Sequence, residues 1–380
     1  MQVEVTRRWI DEGQVAGPSL PVVPARCDRC ELAHLVPADA ASGPCPSCGR
    51  GTLAPSGVEL VGGAGGEVLP ERVVPFTLDE DAALRALAEH VAEGGWFLRG
   101  DLSPEALRRN LRRVWWPEWL VDADVNGVFS LEVGFDYQVK SNKERYDGTS
   151  WVSFEEVDTR IRWEPRVGRI QRRLHDVAAV ALTEQAAWSA RVGQTDRSDA
   201  RAFRTTDLDG AVVRLPTLPP DAAWSQAVPV LTTAAGALAQ GGAQAEHQRD
   251  LSLTATWTGL HWTWQLLPVW TTSYDDGAGQ RWLLVVNGRT GRVTGARLKN
   301  TTTLWLVWGT LAALGFGSAL LGALLFAIGI PLLAVAVGAV LFVIGIAMFV
   351  LGLLVGIFAA IPLFSGLSWN RAERAVQPTE

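Results

Sequence analysis

From Thr301 to Ser368 the chain contains no Asp, Glu, Lys, Arg or His, an uncharged run of 68 residues. Wholly helical, such a run would extend about 100 Å at ~1.5 Å per residue. One membrane crossing takes about 20 apolar residues, so the run accommodates two crossings and a connection, and a third only with very short turns. The competing reading, a buried helical hairpin in a soluble protein, is disfavoured by that length. Gly329, Ile330 and Pro331 form the natural break, because Gly and Pro disfavour continuous helix. The spacing predicts spans near residues 304–328 and 332–356, with residues 357–364 either extending the second helix or lying at the interface.

The flanks set an expected orientation. Arg292, Arg297 and Lys299 precede the first span, Arg371 and Arg374 follow the second, and the connection is uncharged. Basic residues at both outer ends predict two cytoplasmic termini and a multi-pass membrane protein. Trp305, Trp308 and Trp369 stand where an aromatic belt is expected. With no ionisable group inside the spans, no residue there can serve a proton relay or an ion path, and the tail reads as an anchor in the lipid bilayer. Gly315, Gly317, Gly322, Gly338, Gly345 and Gly352 would let the spans pack closely with each other or with another copy, as in a homo-oligomer.

At the other end of the chain all four cysteines fall within residues 27–48, as two C-x2-C pairs separated by fourteen residues. Cys27, Cys30, Cys45 and Cys48 in that spacing point to one structural zinc ion held by four thiolates. Gly49 follows the second pair at a position suited to a positive φ, which would turn backbone N–H groups toward the sulfurs. Two disulfides would require an oxidising compartment, and the opening residues "MQVEVTRRWIDEG" lack the apolar h-region that leads there. A cytoplasmic orientation, inferred from other residues, agrees with reduced thiols. Four protein sulfurs close the site, leaving no position for substrate or activated water. His34, inside the loop, is expected at the surface and not as a ligand.

Between these ends, "SGVELVGGAGGEVLPE" carries Gly62, Gly63, Gly65 and Gly66 and reads as a flexible linker. A phosphate loop would end in Gly-Lys-Ser/Thr, whereas Glu67 and Val68 follow the last glycine here. Thr77 and Glu80 suggest a capping box for a helix carrying Leu84, Leu87 and Val91 and ending at Gly94 and Gly95. Ser103 and Pro104 open a second, with Leu107 and Leu111 as its stripe. Its final turns carry Arg108, Arg109, Arg112 and Arg113, read as cations at a helix end in preference to contacts with anionic lipid or nucleic acid.

"WLVDADV", "VFSLEVGFDYQV", "WVSFEEVDTRIRW" and "GRIQRRLHDVAAVAL" alternate in polarity and predict four strands of an antiparallel sheet with one wet face. A helix is expected from Asp221 to about Ala245, then strands in "LSLTATWTGLHWTWQLLPVWTTSY", "QRWLLVVNG" and "GRVTGARL", with Asn287 to Gly291 as a hairpin turn leading to the membrane. Pro117 with Trp119 and Pro268 with Trp270 repeat a Pro-x-Trp pair at an offset of 151, each followed by a strand-like segment and a turn glycine. That echo hints at two similar β units. The 17 tryptophans favour a packed aromatic core over an aromatic groove for peptide or lipid.

The expected organisation is multidomain: an N-terminal segment (1–24), a small zinc ribbon (25–52), the linker (53–72), an α+β domain rich in antiparallel strands with two β-rich halves (73–300), a C-terminal transmembrane helical hairpin (301–368) and a cytoplasmic tail (369–380). The "CPSCG" ribbon, "VVPF", "WWPEWLVDADVNG", "LLPVWTTSY", "VVNGRTGRVTG" and the terminal hydrophobic hairpin together resemble a family of bacterial membrane-anchored zinc-ribbon proteins. Its ribbons are often named after transcription factor B or the replication-restart helicase. The resemblance implies a cytoplasmic ribbon, a β-rich middle and a membrane tail, and no reaction. The helicase name finds no support, since the ATP-binding lysine motif is absent.

Function follows by comparison of classes. Between Ala25 and Thr52, Arg26, Arg29 and Arg50 balance Asp28, Glu31 and Asp39, without an aromatic residue for base stacking, and the whole chain carries a net charge of −6. Both disfavour nucleic acid as a partner. His34, His90, His175, His247 and His261 lie far apart in sequence, without a nucleophile or metalloprotease motif. Asp122 and Asp124 share a strand face and are expected to be solvated. No catalytic or cofactor-binding residue is assigned, and the expectation is a membrane-anchored cytoplasmic adaptor or scaffold presenting its ribbon to a protein partner. The alternatives are a membrane-tethered nucleic-acid-binding protein and an unrecognised enzyme.

Overall fold

The computed structural model describes residues 22–38, 42–57, 70–146, 148–208, 210–276, 279–331 and 336–375. Residues 1–21 of the expected N-terminal segment, the four linker glycines, residues 332–335 at the expected start of the second span and the last residues of the tail lie outside them. The described chain is a sheet-rich α+β structure with two apolar C-terminal helices. In chain order the elements are β1 (Val22–Cys27), β2 (Ala33–Pro37), β3 (Leu53–Pro55), β4 (Arg72–Val73), α1 (Glu80–Ala92), α2 (Pro104–Asn110), β5 (Arg112–Tyr146), β6 (Trp151–Val180), α3 (Gln185–Val192), β7 (Arg201–Ala202), β8 (Ala211–Arg214), α4 (Pro220–Gly242), β9 (His247–Asp275), β10 (Arg281–Asn287), β11 (Val293–Gly295), α5 (Thr301–Gly329) and α6 (Ala336–Arg374).

The four strands expected in the first β-rich half are two very long ones. β5 has 35 residues and β6 has 30, paired antiparallel from Glu118 with Val180 to Tyr146 with Trp151. At ~3.3 Å per residue, β5 extends on the order of 110 Å. Gly127, expected at a turn, is mid-strand: a Cβ there would lie 2.6 Å from the Thr254 carbonyl oxygen, so the glycine permits close approach of β9. Register shifts near Asp122 and Ser130 let the long ladders bend and coil. β9 pairs with β5 from Arg112 to Gly134. Beyond it, residues 135–146 and 151–162 continue as a two-stranded arm, twelve rungs or about 40 Å long.

The Pro-x-Trp echo has a structural cause. β5 exchanges neighbours at Pro117: β8 pairs up to Trp115, and β6 begins at Glu118. β9 does the same at Pro268, where β10 ends opposite Val269 and β4 pairs with Gln265 and Leu266. A proline has no N–H to give a ladder, so each stands in the gap between two neighbours. β5 and β9 are themselves adjacent and antiparallel, with Trp115 opposite Pro268 and Trp119 opposite Trp264.

The base of the sheet is buried on both faces, where one wet face was expected. On one side Trp115, Trp119, Trp262 and Trp264 pack with Ala223, Ala227, Leu231 and Ala235 of α4; the three alanines of that face let the helix lie close to the strands. On the other, Trp116 and Val269 pack with Leu182 and Trp188. The tryptophans therefore form a packed core, with Trp119 and Trp262 edge to face at 6.1 Å.

α1 and α2 cover the outer part of β9 and β10 through Leu84, Leu87, Leu107 and Leu111. Ser103 caps α2 as expected, but the cap of α1 is Asp79, which accepts from Ala82 N–H at 2.8 Å, while the Thr77 hydroxyl donates to the carbonyls of Gly288 and Arg289. α2 stops at Asn110, so Arg112 and Arg113 begin β5. Arg108 pairs with Asp81 at 2.6 Å and Arg113 lies 4.6 Å over the Phe76 ring, so these arginines serve packing and solvation.

α5 and α6 are both long and apolar enough to cross a membrane, and only 17 % and 11 % of their most apolar windows are buried. A soluble-core hairpin would bury most of that surface. α5 ends at the expected break, and α6 runs unbroken through residues 357–364. Added Cβ atoms at Gly315, Gly322, Gly329, Gly345 and Gly352 would come within 2.4–2.8 Å of the other helix's backbone, whereas Gly317 faces open space. The hairpin is tied to the body where it meets it. Arg297 N–H donates to Glu373 at 2.7 Å, Lys299 N–H donates to Asn370 Oδ1 at 2.7 Å, and Trp369 Nε1 donates to the Arg297 carbonyl at 2.8 Å.

Candidate metal centre

β1 brings in Cys27, the turn after it presents Cys30, and the turn at Pro46–Cys48 presents the second pair. The four Sγ atoms lie within 4.8 Å of one another, and the Cys27–Cys48 and Cys30–Cys45 separations are both 3.7 Å. Sulfurs about 2.3 Å from a tetrahedral centre are about 3.8 Å apart; a disulfide would need about 2.05 Å. The four cysteines are thus positioned to bind one metal ion. The Arg29 and Gly51 N–H groups each donate to a sulfur at 3.4 Å, to Cys27 and Cys48 respectively. Gly49 has φ +63°, as its place after the second pair predicted, and its N–H closes the turn on the Cys45 carbonyl at 2.8 Å.

Hydrogen bonds from Cys30 and Cys45 hold the Cys48 thiol below its ordinary range, while the contacts of Cys30 with Cys45 and then Cys48 push Cys30 above it. Four thiolates so close together require positive charge among them to coexist. The site is closed by protein sulfur on every vertex.

His34 is not at the surface, as expected, but fully buried. Its Nε2 lies 3.0 Å from Ser47 Oγ, which fixes the knuckle from behind. Burial, and then the Arg214 charge, pushes its pKa down to about 3, so it is neutral at pH 7. Its burial follows from strand pairing: β2 joins β8 with His34 opposite Arg214. The ribbon is consequently not a free head. β3 returns to β1 past the expected boundary at Thr52, with Cys27 opposite Leu53, and the knuckle rests on β9 and β10. Arg281 donates to the Gly49 carbonyl, Thr271 Oγ1 donates to the Pro46 carbonyl at 3.4 Å, and Arg50 pairs with Asp275 at 3.7 Å.

The remaining sequence candidates separate into structural roles. Asp122 is buried, against the expectation of a solvated carboxylate, and accepts from Asp176 N–H at 2.9 Å beside His175 at 3.5 Å. His261 stands opposite it on β9, a proximity set by register that sequence distance conceals. Arg173 bonds Asp124 at 2.9 Å. His90 Nε2–H donates to the Gly295 carbonyl at 3.3 Å. His247 meets Asp136 at 3.0 Å, with Glu246 nearby, at the root of the arm; no motif announced this group, which register alone assembles.

Comparisons with protein-family models, curated proteins and solved structures found no match for the chain. What defines the class is therefore its own geometry: a four-cysteine metal-binding knuckle docked on a long-stranded sheet that continues into a helical hairpin fit for a membrane.

Proposed function

We propose that the chain is a membrane-anchored scaffold that holds a protein partner away from the bilayer, with both termini in the cytoplasm and one structural zinc ion in the knuckle. The observation that carries this reading is the hairpin of β5 and β6. β5 starts beside the strands that lead into α5 and runs on past the end of β9 into an arm in which, among the described residues and beyond its root at Asp136 and His247, only β6 pairs with it. Tyr137, Phe154, Val157 and Ile161 on the arm are 40–48 % exposed, and Tyr146 and Trp151 form an aromatic pair at its tip, centroids 5.5 Å apart. Apolar side chains set among ion pairs such as Lys140 with Glu155 at 2.7 Å suit a protein surface, where aromatic contacts and matched charges combine. Zinc suits the knuckle because four thiolates in tetrahedral array are a structural zinc set. It stabilises a ribbon too small for its own core and seats it against β9 and β10.

This reading relocates the partner surface from the ribbon to the arm, since the ribbon is occupied in docking. Removing residues 137–140 and 157–160 shortens the arm by four complete rungs and preserves which face each side chain takes. In cells, a photo-crosslinking residue at position 154 of the full chain is expected to capture a discrete protein. The shortened chain, probed at position 151, is expected to lose it while keeping its metal and its membrane association. Capture of nuclease-sensitive material, or the same protein captured after shortening, would refute the scaffold reading.

A further inference from the structure

Trp96 is 83 % exposed, on a loop whose backbone is firmly fixed. The loop leaves α1 through Gly94 and Gly95, whose N–H groups donate to the Val91 and Ala92 carbonyls. It then turns on two left-handed residues, Gly95 at φ +70° and Phe97 at φ +67°. A positive φ at a bulky residue such as Phe97 is unfavourable and persists only where neighbours impose it. They do so here. Asn300 N–H donates to the Phe97 carbonyl at 2.7 Å and Arg99 N–H donates to the Leu298 carbonyl at 3.4 Å, making an antiparallel bridge between Leu98 and Lys299. Arg99 Nε also donates to the Asp275 carbonyl at 3.1 Å. Leu98 packs into the core beneath α1, while Trp96 two residues earlier stands clear of the protein.

The partners of this loop are the residues from which the apolar hairpin starts. Asn300, which holds Phe97, is also the N-cap of α5. Trp305 and Trp308 lie one to two turns further along α5, their rings 5.4 Å apart. Trp369 of α6 lies under both Arg297, at 5.3 Å, and Lys299, at 5.0 Å. Trp96 therefore stands next to residues held at the start of α5, within the same band of tryptophan and basic residues. An indole combines a large apolar ring with one N–H donor and favours the headgroup layer, where one end is dry and the other wet.

We infer that Trp96 inserts into the interfacial layer of the bilayer that α5 and α6 cross, giving the body a third membrane contact beside the two helices. The inference rests on the membrane reading of those helices. With the loop pinned to the start of α5, such a contact would fix the tilt of the body, and with it the direction of the arm, against the bilayer plane.

The test uses the metal-loaded full chain in lipid nanodiscs, carrying Trp96→Cys labelled with an environment-sensitive fluorophore, with the unsubstituted chain as the labelling background. Trp305→Cys and Tyr146→Cys serve as bilayer and aqueous references. Expected is blue-shifted emission at position 96, quenched by lipids spin-labelled near the headgroup and insensitive to aqueous iodide, as at position 305 and unlike position 146. Water-like, iodide-quenched emission at 96 with a shielded probe at 305 would overturn this inference alone. Emission shielded from iodide but untouched by spin-labelled lipid would assign Trp96 to a protein contact and also overturn it. Water-like emission at both 96 and 305 would overturn the membrane reading itself.

Discussion

Gly51→Ala tests whether the knuckle geometry governs metal binding. A Cβ at position 51 would lie 2.2 Å from Cys27 Sγ and 2.5 Å from Asp28 Oδ1. Ordinary contact begins near 3.4 Å, so the sulfur or the backbone must yield by about 1.2 Å, the difference between those two distances. Metal–ligand distances tolerate departures of only about 0.2 Å. The same residue donates its N–H to Cys48 Sγ, so a backbone shift that relieved Cys27 would weaken a second ligand. Disturbing groups that support ligands costs about 10–100-fold in metal affinity, equivalent to roughly 1.4–2.8 kcal/mol, and a direct clash with a ligand is expected at the upper end. Competition against a chromophoric chelator on the purified full chain reads this directly. Gly43→Ala is the control, because nothing lies within 4 Å of a Cβ there. Retention of wild-type affinity by Gly51→Ala would refute the argument that the four sulfurs work as a fixed tetrahedral set.

Two further outcomes follow from the same structure. Gly352→Val puts a side chain where a Cβ is already 2.5 Å from the Gly315 carbonyl oxygen and 2.6 Å from Ala319 N; thermal unfolding in detergent is expected several degrees lower than for the native chain, while Gly317→Val, in open space, leaves it unchanged. His34 has a folded-state pKa of about 3 against an ordinary 6.5, so its neutral burial contributes stability fully above pH 6.5. That contribution falls as pH drops from 6.5 toward 3, by at most about 5 kcal/mol at 1.36 kcal/mol per pH unit. Denaturant titrations across that range should show a shallower loss for His34→Phe than for the native chain, and parallel curves would refute it.

Much of the local structure was legible because it depends on neighbours in sequence. The α2 cap at Ser103, the turn at Asn287–Gly291, the break at Gly329 and the conformation of Gly49 follow from backbone chemistry within a few residues. Errors arose where distant groups compete for the same atoms. Thr77 resembles a cap, but its hydroxyl is taken by the Gly288 and Arg289 carbonyls, and Asp79 caps α1 instead. Asn126-Gly127 resembles a turn, yet the pressure of β9 on Gly127 makes it a strand residue. Four polarity-alternating segments resemble four strands because alternation gives the period and not the length.

The sequence by itself determined the four thiolates that can share one metal ion and the two apolar helices at the other end. Both are set by composition and spacing over short stretches: Cys-x2-Cys turns bring sulfurs together locally, and an uncharged run of helical residues is apolar wherever it is placed. Only the tertiary structure decided where the ribbon sits, what each Pro-x-Trp pair does, and that Trp96 stands beside the start of α5. Those depend on strand register, which joins residues as far apart as His34 and Arg214 or Trp115 and Pro268 through backbone hydrogen bonds that all residues other than proline can make. No single side chain specifies such a pairing; the summed burial of both faces of the sheet selects it.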